Sequence, residues 1–309
     1  MSDIIQQHVD NAYSYAKTYC DEGRVADYIP ALAEVDPSKF GMAIALPNGD
    51  YCCAGDSDEA FSIQSVSKVF TLALALKCLD DTIWDAVGRE PSGSSFNSIV
   101  QLETECGKPR NPLINAGAIA TTDRLLDGRS AQDAVAQILA FMQERAADPA
   151  VHIDDRVAIS EAGSGARNRS LAHFMAAFGN LKHPVETSLE AYFCQCAIAM
   201  SCRQLARAGL FLAFGGSDPD TGEQIISAEH CRQINAVMLA CGHYDNSGEF
   251  AFRVGMPGKS GVGGGILTIA PGRGAIAVWS PGLNKAGTSF VGSIALEHFI
   301  RAIGWSIFE

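Results

Sequence analysis

The stretch Ser62–Lys68, which reads Ser-Ile-Gln-Ser-Val-Ser-Lys, is followed directly by the apolar run Val69–Leu76. Apolar residues occupy nearly every side of a helix drawn through this run, which predicts a buried helix over about 65–78. Ser65 and Lys68 form an S-x-x-K pair at the start of that helix, and positions three apart share one helix face. Because a serine hydroxyl needs a base within hydrogen-bond reach, the pair indicates a serine nucleophile.

Lys68 can act as this base only while part of its amine is neutral. The apolar neighbours in the predicted helix remove water from the ammonium and so lower its pKa. Ser65 lies in the first helical turn, where free N–H groups and the positive end of the helix dipole favour a developing oxyanion. S-x-x-K alone is common and most often structural, so the surrounding sequence has to support the hypothesis.

The segment before this stretch has the pattern of a β-hairpin. Phe40–Leu46 is apolar, Pro47–Asp50 contains Asn-Gly, and Tyr51–Ala54 returns. Asn-Gly between two strand-like runs predicts a tight turn with both central residues at positive φ. A hairpin placed directly before an S-x-x-K helix favours the catalytic interpretation.

A second element near the other end of the chain points the same way. Lys259–Gly261 reads Lys-Ser-Gly, the K-[ST]-G element that accompanies S-x-x-K in penicillin-recognising serine enzymes. The glycines that follow, up to Gly265, precede another strand pattern. A phosphate-binding loop would instead need a helix there. We therefore predict an inter-strand turn that brings a backbone N–H, that of Val262, against a substrate.

The order of predicted elements indicates an α+β fold. A first helix is predicted over 3–21 and a last one over 289–303, with late strands over 249–254, 265–270 and 275–279. Helices in between are predicted over 131–144, 168–178, 189–199 and 203–214. Strands from both ends can join one antiparallel sheet that carries the terminal helices. This arrangement gives a multi-domain α/β unit, with a sheet lobe of residues 25–64 and 246–309 and a mainly helical lobe of residues 65–245.

Composition excludes several classes of partner. The chain of 309 residues carries a net charge of −12, from 35 acidic and 23 basic residues, which disfavours nucleic acid and anionic membranes. The ten cysteines lack C-x-x-C spacing, so a metal site is not expected. The polar N-terminus shows no secretory signal, and no apolar run is long enough to span a bilayer. We expect a soluble protein of the reducing cytoplasm with mostly free thiols.

Three long blocks of the sequence resemble the bacterial-type glutaminase family, whose members share the β-lactamase-like serine hydrolase fold. The blocks are Phe61–Lys68, Pro109–Ala118 and Lys259–Gly265, in the family's order, and the resemblance extends over essentially the whole chain. It implies hydrolysis of L-glutamine to L-glutamate and ammonia without cofactor or metal. It also implies a homodimer or homotetramer.

The resemblance also implies a role for each of several residues. Ser65 would attack the side-chain carboxamide, Lys68 would be the general base, and Tyr192 would deliver a proton to the departing ammonia. The N–H groups of Ser65 and Val262 would form the oxyanion hole, and Glu161 would bind the substrate ammonium. The neutral donors implied for the α-carboxylate are Asn115, Asn168 and Tyr244, and the supporting residues are Tyr28, Gln64, Lys259 and Ser260.

Other interpretations of the same residues stay open at this stage. Taken singly, Asn115 and Asn168 suit helix caps, Glu161 a solvated acid, and Tyr192 a half-buried aromatic. A β-lactamase or penicillin-binding enzyme would add an S-x-N element, which Ser95–Asn97 superficially fits. A catalytically silent relative that binds amino acids is the third alternative.

Overall fold

The structure is a computed structural model that describes residues 2–92 and 98–309. Its helices are α1 Ser2–Lys17, α2 Pro30–Ala33, α3 Ser67–Leu79, α4 Ile83–Ala86, α5 Val100–Thr104, α6 Asn115–Leu126, α7 Ala131–Ala146, α8 Asp155–Ser164, α9 Ala166–Ala177, α10 Val185–Cys196, α11 Cys202–Gly209, α12 Ala228–Cys241, α13 Ser247–Arg253 and α14 Phe290–Ile303. Its strands are β1 Gly41–Ala45, β2 Tyr51–Gly55, β3 Phe61–Ser62, β4 His152–Ile153, β5 Ile198–Met200, β6 Gly258–Ser260, β7 Gly265–Ala270 and β8 Gly274–Trp279.

An antiparallel sheet of five strands, in the order β2-β1-β8-β7-β6, joins the two ends of the chain as predicted. β1 lies between β2 and β8, with Ala43 opposite Cys53 on one side and Ala277 on the other. The β1–β2 hairpin closes through Leu46 N–H to the Asp50 carbonyl at 3.0 Å. Only Gly49 takes positive φ, at 82°, so the expectation for both turn residues was wrong for Asn48. The longer loop needs a single left-handed residue.

Alternation along β1 directs its side chains to two different layers. Met42 and Ile44 pack with α1 and α14 on one face of the sheet, which confirms the predicted terminal helices. Ala43 and Ala45 face the other side, where α11 packs. Small side chains there let the helix come close, and a Cβ on Gly209 would lie 2.8 Å from Leu267 Cδ1.

Two of the predicted elements were wrong. Residues 249–254 belong largely to α13, and the third late strand is β6. In this segment Phe250 is buried and Phe252 is 88% exposed, while Val254, four residues after Phe250, is buried. Burial at i and i+4 is the helical pattern, and six residues are too few to separate it from alternation by sequence.

The second error concerns the end of the helix predicted over 189–199. α10 ends at Cys196, and the following residues form β5 in a small sheet of order β3-β5-β4. β5 is held by partners far away in sequence, since Phe61 pairs with Met200 and His152 with Ala199. Such pairing is decided by tertiary contacts rather than by local propensity. The small sheet also ties the segment before Ser65 to the end of α10.

The hydrophobic core runs across the predicted lobe boundaries. One cluster contains Ala43 and Leu267 of the large sheet together with Leu72 of α3 and Phe211 after α11. The division into lobes of residues 25–64 with 246–309 and of residues 65–245 stays a prediction.

Candidate active site

The start of the buried helix differs in one detail from its prediction. Residues Gln64–Val66 form a 3₁₀ turn, and α3 begins at Ser67, which keeps Ser65 at the N-terminal end of the helix. Gln64 takes a φ of +49°, a conformation that costs a non-glycine residue roughly 1 kcal/mol or more. The Ser67 hydroxyl donates to the Gln64 carbonyl at 2.7 Å and closes the turn. A strained residue therefore directly precedes the predicted nucleophile.

Lys68 is fully enclosed by the fold. Its Nζ donates to Asn115 Oδ1 at 2.7 Å, and Asn115 Nδ2 donates to Asn168 Oδ1 at 2.9 Å. Burial lowers the pKa of Lys68 to about 8, although the nearby Cys196 and Glu161 raise it. An amine with a pKa of about 8 is partly neutral at mildly alkaline pH, and the apolar sequence of α3 predicted this lowering of the pKa.

The hydroxyl of Ser65 is also held in place. It hydrogen-bonds with Tyr244, whose own hydroxyl donates to the Ser260 carbonyl at 3.4 Å. Burial raises the pKa of Tyr244 to about 12, so this phenol stays neutral. Among the described residues, the hydrogen bond of Lys68 Nζ goes to Asn115 rather than to Ser65. Hydrogen bonds between catalytic groups are often made only once substrate is present.

Glycines bring the opposite wall against the 3₁₀ turn. A Cβ on Gly261 would lie 2.5 Å from the Ile63 carbonyl, and one on Gly263 would lie 2.2 Å from the Ser62 carbonyl. Such distances exclude any side chain at either position. Gly261 N–H bonds the Gly265 carbonyl at 2.9 Å, and β7 follows. The glycine-rich segment is an inter-strand turn, as predicted, and Val262 lies between the two close approaches.

A cavity of about 300 Å³ opens in front of Ser65. The predicted residues that line it are Tyr28, Gln64, Ser65, Asn115, Glu161, Asn168, Tyr192 and Val262. The other predicted residues contact this lining from behind, namely Lys68 through Asn115, Tyr244 through Ser65, and Lys259 and Ser260 through Tyr244. The fold thus gathers all of them around one space.

Glu161 provides a buried carboxylate in this cavity. Burial raises its pKa to about 7, while Lys68 and a hydrogen bond from Gln64 act to lower it. Its Oε2 has no hydrogen-bond partner among the described residues. A buried carboxylate oxygen without a partner is costly, and a cationic ligand group would relieve that cost.

Lys259 is the second buried lysine of the site. Its Nζ donates to the carbonyls of Gly242 at 3.0 Å and Ser260 at 2.6 Å, and lies 4.3 Å from the centre of the Tyr244 ring. Burial and the charge of Lys68 hold its pKa well below the ordinary lysine value. The side chain therefore supports Tyr244 and does not line the cavity.

Sequence reasoning missed several residues of the cavity. These are Ile29, Ser164, Gly165, Arg167 and Cys196. Cys196 lies four residues after Tyr192 on α10, so helical spacing would have revealed it. It hydrogen-bonds with the Tyr192 hydroxyl, and burial raises the pKa of the thiol to about 12. Ser95–Asn97, the S-x-N candidate, lies outside the described residues.

Comparison with known proteins gives consistent results. The glutaminase family profile matches residues 23–308. The chain is similar to a glutaminase of Methylobacterium radiotolerans, with 60% identity over 288 residues and 93% of each chain covered. A glutaminase of Rhizobium rhizogenes is 55% identical, with 100% of this chain and 99% of that one covered.

Solved structures agree with these relatives. A structure described as the probable glutaminase YbaS matches with a TM-score of 0.95 and 38% identity, over 100% of this chain and 99% of the other. A probable glutaminase from Bacillus subtilis, in complex with 6-diazo-5-oxo-L-norleucine, matches with a TM-score of 0.87 and 32% identity, over 96% and 94%.

The fold and its matches define the class as hydrolases with the β-lactamase-like architecture. Within that class, the chain belongs to the glutaminase family, amidohydrolases that convert L-glutamine and water to L-glutamate and ammonia. This assignment displaces the β-lactamase and penicillin-binding alternatives. No helix in the described part of the chain has both the length and the apolar character needed to cross a bilayer.

Proposed function

We propose that this glutaminase works through a glutamyl ester on Ser65, with Lys68 moving the protons. The observation that carries the proposal is Lys68 itself, one helical turn from Ser65 in the motif and fully buried with a pKa of about 8. An amine in this range is close to half neutral under mildly alkaline conditions. It can therefore accept a proton and return it within one cycle.

In the first half-reaction, Ser65 Oγ attacks the side-chain carbonyl carbon of glutamine and its proton moves to Lys68 Nζ. The negative charge on the carbonyl oxygen is taken up by the N–H groups of Ser65 and Val262. The Val262 N–H makes no backbone hydrogen bond among the described residues. Amides at the start of a helix likewise lack an intrahelical partner, and the N–H of Ser65 makes no backbone hydrogen bond outside its helix within residues 2–92 and 98–309.

Collapse of this intermediate breaks the carbon–nitrogen bond and releases ammonia. The proton on Lys68 goes to the leaving nitrogen, and we assign its relay to Tyr192, whose ring lies near the lysine, with 5.9 Å between the ring centre and Lys68 Nζ. Burial holds the pKa of Tyr192 well above the ordinary value, so its hydroxyl transfers a proton only by receiving one at the same time. Water then attacks the ester carbonyl and gives a proton to Lys68. The bond between the carbonyl carbon and Ser65 Oγ breaks, Lys68 returns the proton to Ser65 Oγ, and glutamate leaves.

The α-amino acid end of glutamine supplies the binding energy for orientation. Glu161 Oε2 is unpartnered in the described structure and suits the α-ammonium. Asn168 and Asn115 provide amide donors for the α-carboxylate, and Lys68 and Asn115 hold each other in position. Tyr28 and Gln64 complete the wall.

The nucleophile is tested with 6-diazo-5-oxo-L-norleucine, a glutamine-like amino acid whose diazoketone forms a covalent bond with a nucleophile. Peptide mass analysis of the treated parent should find one adduct, on Ser65. Ser65→Ala should release no ammonia above background and stay folded, while Ser164→Ala, a control serine in the same cavity, should keep its activity. An adduct on Cys196 in an active Ser65→Ala variant would remove Ser65 from the mechanism.

The proposal also includes the setting in which the enzyme works. The ten cysteines are free, which is consistent with a reducing cytoplasm. A homodimer or homotetramer, and the two lobes of residues 25–64 with 246–309 and of residues 65–245, rest on the family resemblance and the order of elements. Sedimentation equilibrium of the purified enzyme measures the assembly, and a monomeric mass at working concentrations would reject it.

A further inference from the structure

The cavity in front of Ser65 carries one charge of each sign. Of the described residues that line it, Glu161 and Arg167 are the ones with charged side chains. Glu161 lies on α8 and Arg167 is the second residue of α9, with Gly165 between the two helices. Free amino acids are zwitterions, and an acid with a base at one end of a cavity complements both of their charges.

Arg167 is an exposed arginine and, like Arg24, has no partner for its guanidinium in the described part of the chain. The neighbouring Arg169 bonds the Ala162 carbonyl at 2.8 Å and pairs with Glu186 at 3.4 Å. Arg167, by contrast, has no hydrogen bond, ion pair or aromatic contact to its guanidinium within residues 2–92 and 98–309. An unpaired cation at the mouth of a substrate cavity, in a chain of net charge −12, is free to bind an anionic ligand group.

The amide donors of Asn115 and Asn168 alone do not satisfy all the hydrogen-bond acceptor sites of a carboxylate. Asn115 uses its carbonyl oxygen for Lys68 and one amide hydrogen for Asn168. A carboxylate offers about four lone-pair sites, more than the remaining amide hydrogens of these two residues satisfy well. A guanidinium presents two parallel N–H groups that match a carboxylate.

We propose that Arg167 binds the α-carboxylate of the substrate and thereby selects free α-amino acids over derivatives blocked at that carboxylate. This inference rests on the proposed function and adds a specificity-determining residue to it. Glu161 and Arg167 then hold the two ends of the zwitterion, while Ser65 meets the side-chain carboxamide. Because the contact is equal in ground and transition states, it lowers KM and leaves kcat nearly unchanged.

The test compares the parent with Arg167→Gln and Arg167→Lys. For Arg167→Gln, we expect KM for glutamine to rise about tenfold and kcat to stay within about twofold. Arg167→Lys should recover part of the loss. Sodium chloride, raised from about 0.05 to about 0.5 M, should increase KM of the parent but not of Arg167→Gln. Arg301→Gln, which removes an exposed arginine of α14, is the matched control and should behave as the parent.

Two competitive inhibitors isolate the α-carboxylate. L-Glutamate carries it, and L-isoglutamine has a neutral amide in its place. The parent should bind glutamate about tenfold more tightly than isoglutamine, and Arg167→Gln should lose that preference. Equal weakening of both inhibitors, or an unchanged KM for glutamine, overturns the role of Arg167. A parent that releases no ammonia from glutamine would instead overturn the proposed function, so the two failures are distinguishable.

Discussion

Two buried basic residues of this protein, Arg207 and Lys68, have different kinds of partner. Below the sheet, Arg207 Nη2 contacts both carboxylate oxygens of Asp218, at 3.1 and 2.9 Å, and Asp220 at 2.9 Å. Burial alone would raise the pKa of Asp218, but the hydrogen bonds and charge of Arg207 hold it below its ordinary value. At the active site, Lys68 has no carboxylate within ion-pair distance among the described residues and bonds a neutral amide instead.

We propose that this difference separates a charge that stabilises the fold, at Arg207, from one kept available for chemistry, at Lys68. A buried ion pair stays ionised because each member stabilises the other. A buried lysine without an acidic partner is pushed towards its neutral form, and this neutral form is the one that accepts a proton. A buried group whose pKa is shifted and which lies behind the wall of a cavity therefore indicates a functional site better than charge or burial alone.

The largest expected effect comes from removing the amine of Lys68. Lys68→Met should lower kcat by about 10³–10⁴-fold, because Ser65 loses its base. The same variant should be more stable. The pKa of Lys68 is lowered from 10.5 to about 8, so below pH 8 its ammonium is buried at a cost of roughly 3 kcal/mol. Urea unfolding near pH 7 should therefore show a gain of about 1–3 kcal/mol for the variant.

The predicted sign of this stability change can be checked through the pH dependence of the unfolding free energy. Between about pH 8 and 10.5 the unfolded lysine holds a proton that the folded one has lost, so the stability of the parent rises with pH in this window. Lys68→Met should lack this contribution. Lys77→Met, at a partly exposed position of the same helix, is the control and should keep its activity. An active Lys68→Met variant would contradict the role of the lysine.

The paired group should respond in the opposite way. Asp218→Asn leaves Arg207 buried with a weakened partner and should cost about 3–5 kcal/mol of unfolding free energy. Activity per folded molecule should be unchanged, as measured by glutamine hydrolysis normalised to the folded fraction. A fall in kcat as large as that of Lys68→Met would contradict the purely structural role of Asp218 and Arg207.

A smaller effect is expected from displacing the glycine-rich wall. Gly261→Ala places a Cβ 2.5 Å from the Ile63 carbonyl, which forces the Val262 N–H away from Ser65. Loss of one oxyanion donor lowers kcat by about 10²–10³-fold. Gly163→Ala, where a Cβ meets nothing within 4 Å, is the control for the substitution itself. Equal kinetics for the two variants would show that the Val262 N–H has no part in the reaction.

The pH profile tests both shifted groups together. The base form of Lys68 grows as pH rises through about 8, and the carboxylate of Glu161 grows as pH rises through about 7. Since both deprotonated forms are required, kcat/KM should rise by about two orders of magnitude or more from pH 6 to pH 8. In Glu161→Gln the rise should keep only the step near 8, with a higher KM throughout. A profile flat across this range would contradict both assignments.

The smallest effect concerns backbone strain at Gln64. Gln64→Gly relieves the positive φ of 49° and should raise the unfolding free energy by up to about 1 kcal/mol. It also removes the amide that hydrogen-bonds Glu161, so KM should increase severalfold. Asp127→Gly, at a φ of 45° in a residue that does not line the cavity, gives the strain effect alone. Equal KM values for these two variants would show that the Gln64 side chain has no part in substrate binding.

Much of the fold could be predicted because its signals are local. The apolar run after Lys68, the Asn-Gly loop and the glycines after Ser260 each specify their own segment, and the structure has a helix, a hairpin and an inter-strand turn there. The prediction failed in the detail of the hairpin turn, where Gly49 alone takes positive φ. The errors in predicted secondary structure occur where contacts between residues far apart in the sequence determine it. Residues 249–254 alternate like a strand but bury one helical face, and residues 198–200 become a strand because Phe61 and His152 pair with them.

The candidate site divides in the same way. The S-x-x-K spacing indicated Ser65 and Lys68 once the preceding hairpin and Lys259–Gly261 supported it, because residues three apart on a helix share a face. The pKa of Lys68, its bond to Asn115, and the presence of Arg167 and Cys196 in the cavity depend on segments far apart in the chain. Burial and charge act through space, and only the packed tertiary structure places those groups within reach of one another.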